Sequence, residues 1–227
     1  MNTVAVRAPG ATPAVREYFD QKWFLKAAEE FKETLKYNPD SDVAMFNLAR
    51  AYMESGQTEQ AEAGLKFLIE RVPAHSAALH LLSICYARRA RYAEAIDAEL
   101  KALRFRPDSV EGLNNLGSYY LSAGKTDKAV EAYLKAVNLE PDQILARTNL
   151  ALAYIRRGAW DDAIQQAKEV IQRDSQRSLA HFYLGQAYLG KGNRLQLARC
   201  RVVAGAYPCV DDASIQSCIV CPTRSET

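Results

Sequence analysis

Cysteine, histidine and paired carboxylates are where covalent or metal chemistry would begin, and this sequence arranges few of them for it. Of five cysteines, Cys85 is isolated in the body of the chain, while Cys200, Cys209, Cys218 and Cys221 crowd the C-terminal stretch. Cys218 and Cys221 have the two-residue gap of a zinc-ligand pair, since thiolates so spaced can turn onto one tetrahedral ion. Neither a second such pair nor a nearby histidine completes a ligand set, so no metal and no cofactor is expected. The three histidines, His75, His80 and His181, have no Cys, Ser or carboxylate at a spacing that suggests a catalytic group. There is no glycine-rich phosphate loop and no HExxH pair. Acidic pairs such as Asp161 with Asp162 and Glu29 with Glu30 fit helix starts and outer faces, where negative charge is routine. The reading is of a protein without enzymatic activity.

Recognition chemistry is better represented. The stretch NNLGSYYLSAG, residues 114–124, sets two asparagines before a Leu-Gly pair and two tyrosines after it, with near copies elsewhere in the chain. A side-chain amide donates and accepts at once, so it can hold a peptide group whatever side chain that group carries. Arginines recur beside these stretches at Arg50, Arg88 and Arg156.

Those copies obey a strict period, which reveals the elements that position them. Units starting at Asp42, Ser76, Val110, Ile144 and Ser178 follow one another at a step of 34 residues. Their seventh residue is Leu48, Leu82, Leu116, Leu150 and Leu184, and their eighth is small: Ala49, Ser83, Gly117, Ala151 and Gly185. The eleventh is Tyr52, Tyr86, Tyr120, Tyr154 and Tyr188, and the twentieth is Ala61, Ala95, Ala129 and Ala163. Leu and Tyr four apart share a helical face, and the small neighbour lets a second helix, carrying the alanine, approach closely. Gly56, Gly124, Gly158 and Gly192 at position fifteen suit a left-handed helix end, with Ala90 the exception. Pro73, Pro107 and Pro141 stop the second helix at position thirty-two, where Ser175 substitutes once. Glu99 and Ala167 replace the usual aromatic at position twenty-four, and looser packing is expected there.

This pattern resembles the tetratricopeptide repeat (TPR), a helix-turn-helix unit. The resemblance implies an all-α fold, a right-handed α-solenoid of about six repeats over residues 13–206, the first and last degenerate. Tyr18, Ala27, Phe31 and Pro39 carry the first repeat. Residues 1–12 read as a flexible N-terminal tail. In the sixth unit Ala198 falls one residue late, and residues 207–227 read as an irregular, cysteine-containing tail without helical period or a polar capping helix.

The resemblance further implies that the first helices line a concave groove. Carried onto this sequence, the groove comprises Phe46, Asn47, Arg50, Met53, Glu54, His80, Ile84 and Arg88. From the next unit come Asn114, Asn115, Ser118, Leu121 and Ser122, followed by Leu145, Thr148, Asn149, Leu152, Ile155 and Arg156. Leu179, Phe182, Gln186 and Leu189 complete it. Asn47, Asn115 and Asn149 share position six, where the repeat arm of O-linked N-acetylglucosamine transferases carries a peptide-holding asparagine ladder; Leu81 and Tyr183 interrupt it here. The carboxylate clamp of chaperone-binding relatives fails at Thr12, Arg16, Ala77 and Leu81, with Asn47 the one match.

Size and charge are consistent with this. The 227 residues, 48% hydrophobic and 25% charged, make a globular chain, and a formal charge of +2 is too small to attract nucleic acid. No apolar run nears the roughly 18 to 20 residues that span a bilayer, and no secretory core opens the chain, so a cytoplasmic location is expected. The expected function is a protein-interaction scaffold that binds a peptide or helix partner in the groove. The alternatives are self-association and the repeat arm of a larger enzyme such as a glycosyltransferase.

Overall fold

The structure, a computed structural model, describes residues 23–192. Expectations for residues 1–12, for Tyr18, and for everything from residue 193 onward, the four C-terminal cysteines included, lie outside the described residues. Within them run ten α-helices and no strand: α1 (Phe24–Tyr37), α2 (Asp42–Glu54), α3 (Thr58–Arg71), α4 (Ser76–Arg88), α5 (Tyr92–Phe105), α6 (Val110–Ser122), α7 (Thr126–Leu139), α8 (Ile144–Arg157), α9 (Trp160–Arg173) and α10 (Ser178–Gly190). Helices α2, α4, α6, α8 and α10 begin at the five unit starts read from the sequence. Four complete helix pairs therefore stand between the second helix of a first unit and the first helix of a sixth.

Local chemistry sets these boundaries. Ser41 and Ser109 cap α2 and α6 by accepting the backbone N–H of Ala44 and Gly112, and His75 caps α4 through Nδ1 on the Ala78 N–H. At the other end of each first helix the residue at position fifteen is left-handed, with φ of 81° at Gly56, 71° at Gly124, 78° at Gly158 and 77° at Gly192. Ala90 adopts the same conformation at φ 56°, so the turn overrides the residue type. The following N–H reaches back to the carbonyl of the position-eleven tyrosine, as in Gln57 to Tyr52 at 2.8 Å and Lys125 to Tyr120 at 2.8 Å. This six-to-one bond satisfies a carbonyl that the helix end would leave open.

The repeat positions pack as their spacing predicts. Ala61, Ala95, Ala129 and Ala163 are fully buried, and Leu150, Ala49, Ser83 and Ala151 are buried with them. A close approach is at Gly117, where a Cβ would lie 2.6 Å from a ring carbon of Tyr133 on the paired helix α7. Consecutive helices pack in order, and first helices also touch across repeats, α2 with α4, α6 with α8 and α8 with α10. The chain is a right-handed α-solenoid whose first helices form one layer and second helices the other.

Position twenty-four is buried in every complete helix pair. Tyr133 fills it in one repeat and Leu65 in another, and both are buried. Glu99 is also buried, at 1% exposure, and Ala167 likewise at 1%. The carboxylate of Glu99 occupies the aromatic's place through hydrogen bonds rather than ring contacts. Gly112 makes room for it, since a Cβ there would lie 2.7 Å from Glu99 Oε1.

Candidate functional site

The residues expected to line the groove separate into two sets. Phe46, Ile84, Leu121, Leu152, Ile155 and Gln186 are half-buried, and Arg50, Ser118, Leu145, Arg156 and Phe182 are exposed. Met53, Asn114 and Thr148 are instead closed into the packing. Thr148 returns its hydroxyl to the Ile144 carbonyl of its own helix at 2.7 Å, and Asn114 accepts a hydrogen bond from Asn149 Nδ2 of the next first helix at 2.9 Å.

The asparagines at position six thus do three different things. Asn149 ties two repeats together, and Asn47 donates to the Val43 carbonyl of its own helix at 2.9 Å. Asn115 is half-buried and makes no side-chain hydrogen bond to another described residue. A uniform ladder is absent among the described residues because two of the three amides are already engaged.

Arg88 is also committed. Its Nη1 donates to the Met53 carbonyl at 2.6 Å, so it closes the C-terminal end of the preceding first helix α2. Arg156 remains exposed.

A cleft of about 410 Å³ lies between the α2 and α4 repeats and the start of α6. Phe46, Met53, Leu81 and Ile84 supply apolar walls, and Phe46 stacks on His75 with ring centroids 5.4 Å apart. The charged lining is Arg50 and Glu54 from α2, His80 from α4, Glu99 from α5, Arg106 just beyond it, and Glu111 from α6. His80 Nδ1 lies 2.9 Å and 3.0 Å from the two Glu99 oxygens. The Ser83 hydroxyl donates to Glu99 and stands 3.3 Å from the Tyr119 hydroxyl. On the far side of the ring, Nε2 is 3.4 Å from Glu111 Oε1, and it is buried without a hydrogen-bond partner among the described residues. Burial disfavours the imidazolium, but the hydrogen bond and charge of Glu99, with the charge of Glu111, outweigh it, and the pKa is held above the ordinary histidine value. Burial chiefly pushes the Tyr119 hydroxyl up to about 12.

Sequence reasoning placed His80 in the groove but missed Glu99, Arg106 and Glu111. Glu111 holds position two of its unit, a groove-facing position, and Glu99 was visible as a charge where an aromatic belongs. Those are the signals that could have found them. His75 and His181 have structural duties: the first caps α4, and the second lies 2.9 Å from the Ser175 carbonyl. No group of three His, Cys, Asp or Glu among the described residues is placed to hold a metal ion, and none of their helices is long and apolar enough to cross a membrane.

A tetratricopeptide repeat family model matches residues 46–110 and 148–214, a second matches 18–71, and a TPR repeat model matches 117–158. The chain belongs to the tetratricopeptide repeat family. Among curated relatives of this TPR chain, the mouse tetratricopeptide repeat protein 21A is 29% identical over 105 residues, 46% of this chain and 8% of that protein. The chain therefore spans a small part of that relative's length. Among solved structures, YrrB, described as a TPR protein with an unusual peptide-binding site, superposes with a TM-score of 0.72 at 22% identity, covering 86% of this chain and 100% of that one. MamA superposes at 0.67 with 25% identity over 74% of this chain and 98% of its own. Pseudomonas aeruginosa PilF reaches 0.74 at 18% identity over 91% and 93% of the two chains. At such identities, YrrB and PilF bear on the TPR fold and on nothing finer.

Proposed function

We propose that this TPR chain is a non-catalytic scaffold of the cytoplasm that binds a peptide or helix of another protein along the face lined by its first helices. The observation that supports this reading is that every first helix keeps a partly exposed apolar residue at a position where the family resemblance puts the groove: Phe46 from α2, Ile84 from α4, Leu121 from α6, Ile155 from α8 and Phe182 from α10. Apolar side chains so distributed mark an interaction surface. An extended peptide or an amphipathic helix fits it, with its backbone near Asn115 and acidic groups near Arg156. Affinity on the order of micromolar is expected, because a short segment loses much entropy on docking.

The test is affinity capture with the full chain from a lysate of its source, using wild type, a Leu121→Glu/Ile155→Glu variant and an outer-face Lys135→Glu control, each checked for unchanged helicity. A partner retained by wild type and control and lost by the double variant supports the reading. A partner held equally by all three places binding elsewhere. Self-association is the second reading, and it is favoured instead if light scattering shows mass rising with concentration and the chain captures itself.

A further inference from the structure

The His80–Glu99 cleft has a polarity that decides what it accepts. Glu99 is engaged and closed in: His80 Nδ1 spans both its oxygens, Ser83 donates to it, and Gly112 packs against Oε1. At 1% exposure it is not open to an incoming cation. The ring's other nitrogen is in the opposite condition, since Nε2 has no hydrogen-bond partner among the described residues and Glu111 Oε1 stands off at 3.4 Å. The Glu111 side chain is 77% exposed, so it can swing into water and leave that place to another acceptor. Arg106 lines the same cleft, exposed, and forms no ion pair with a described residue. An unmet donor and an unpaired guanidinium lining one cleft are a complement for an oxyanion.

We propose that this cleft takes the carboxylate of an aspartate or glutamate side chain on the partner peptide, anchored by His80 Nε2–H and Arg106, with Phe46 and Ile84 packing its neighbours. This rests on the reading that the inner face binds a peptide, and it names the anchor. The site is gated by protonation. Nδ1 keeps its proton on Glu99 in either charge state, so neutral His80 turns a lone pair from Nε2 toward the cleft and repels a carboxylate, whereas the imidazolium donates to it. The charged groups around the ring are Arg50 and Glu54 from α2, Glu99 from α5, Arg106 beyond it, and Glu111 from α6; Tyr119 reaches it through Ser83. Glu99 and Glu111 hold the ring charged above the ordinary histidine range, and a bound carboxylate raises its pKa further. Affinity is therefore high below that pKa and lost as pH rises through it.

The test uses a displayed library of random dodecapeptides selected on the full-length protein at pH 6.0. Enriched peptides are then titrated by fluorescence anisotropy from pH 6.0 to 8.5 against wild type, His80→Gln, Arg106→Glu and Leu121→Glu. The expected result is Asp or Glu enriched at one position, and an affinity that falls as pH rises, at most about tenfold per pH unit, the limit set by loss of one proton. The fall disappears in His80→Gln, and Arg106→Glu weakens binding at every pH without loss of helicity. Ring-nitrogen NMR of His80 should show its pKa rising when peptide is added, which separates an anchor from a residue that merely supports the fold. Peptides enriched in Lys or Arg, or lacking charge, or binding equally at both ends of the range, overturn the carboxylate anchor. If such peptides are still lost in Leu121→Glu, the groove reading stands without it; if they persist there, or no peptide is enriched, both readings fall.

Discussion

One chemical change, Gly to Ala, should have opposite effects at two helical glycines. Within a helix the substitution gains about 0.5–1 kcal/mol from the glycine's lost backbone freedom. At Gly64 in α3 nothing opposes the gain, because the new methyl would rest 3.7 Å from Ala49 Cβ, an ordinary contact. At Gly117 in α6 the methyl would lie 2.6, 2.7 and 2.8 Å from three ring carbons of Tyr133. Carbon atoms attract best at about 3.5–4 Å, so the ring or the helix must yield by about 1 Å. Tyr133 is 1% exposed and hemmed in, so it cannot yield cheaply. Overpacking of this kind costs about 1–3 kcal/mol. The net expectation is a gain of about 0.5–1 kcal/mol for Gly64→Ala and a loss of about 0–2.5 kcal/mol for Gly117→Ala. For a chain of this size each kcal/mol moves the midpoint by about 2–4 °C, so thermal melts by circular dichroism should separate the pair by several degrees. Urea titrations with equal slopes guard against a loss of cooperativity, which repeat arrays can show. If Gly117→Ala raises the midpoint as far as Gly64→Ala does, the close helix approach at position eight is wrong.

Removing the Cβ at left-handed Ala90 relieves about 1–2 kcal/mol of strain against roughly 0.5–1 kcal/mol of added unfolded-state freedom, so Ala90→Gly should raise the melting midpoint slightly. Glu62 is buried in α3 and bonded to Lys66, Arg89 and Arg91; burial opposes its charge, but Lys66 and Arg91 outweigh it and hold its pKa below the ordinary carboxylate value. A depressed folded pKa stabilises above the unfolded value and is lost as pH falls through the folded one. Glu62→Gln should therefore lower the urea midpoint at pH 7, and the gap to wild type should close as pH falls through the depressed folded pKa. Cys85 is fully buried, and burial pushes its thiol up to about 11, so peptide mapping after iodoacetamide at pH 8 should find it unmodified until urea unfolds the chain. Arg88→Glu, which loses the bond to the Met53 carbonyl, should lower the midpoint by about 1 kcal/mol equivalent as well as alter any groove binding, and an unchanged melt would show that bond to be incidental.

The sequence by itself determined the repeat and its phase. Leu, a small residue, Tyr and Ala recur at fixed steps because each repeat packs mainly within itself and on its neighbour, so the rule for one helix pair is written again in every unit. Helices accordingly start at Asp42, Ser76, Val110, Ile144 and Ser178, where the period puts them. The family resemblance extended that reading to a groove, and most of the apolar residues it implies there keep some exposure. What the pattern could not decide was how individual polar groups are used, because that depends on which partner lies within about 3 Å after neighbouring repeats dock. Ala90 takes a glycine's conformation since the turn around it demands one. Asn149 spends its amide on Asn114 and Arg88 spends its guanidinium on a carbonyl of the preceding repeat, contacts between residues 35 positions apart. Glu99 looked in sequence like a gap in the aromatic series; only when α4, α5 and α6 are stacked do His80, Ser83, Gly112 and Glu111 close around it, and the packing of three helices turns a missing ring into a buried ion pair at the mouth of a cleft.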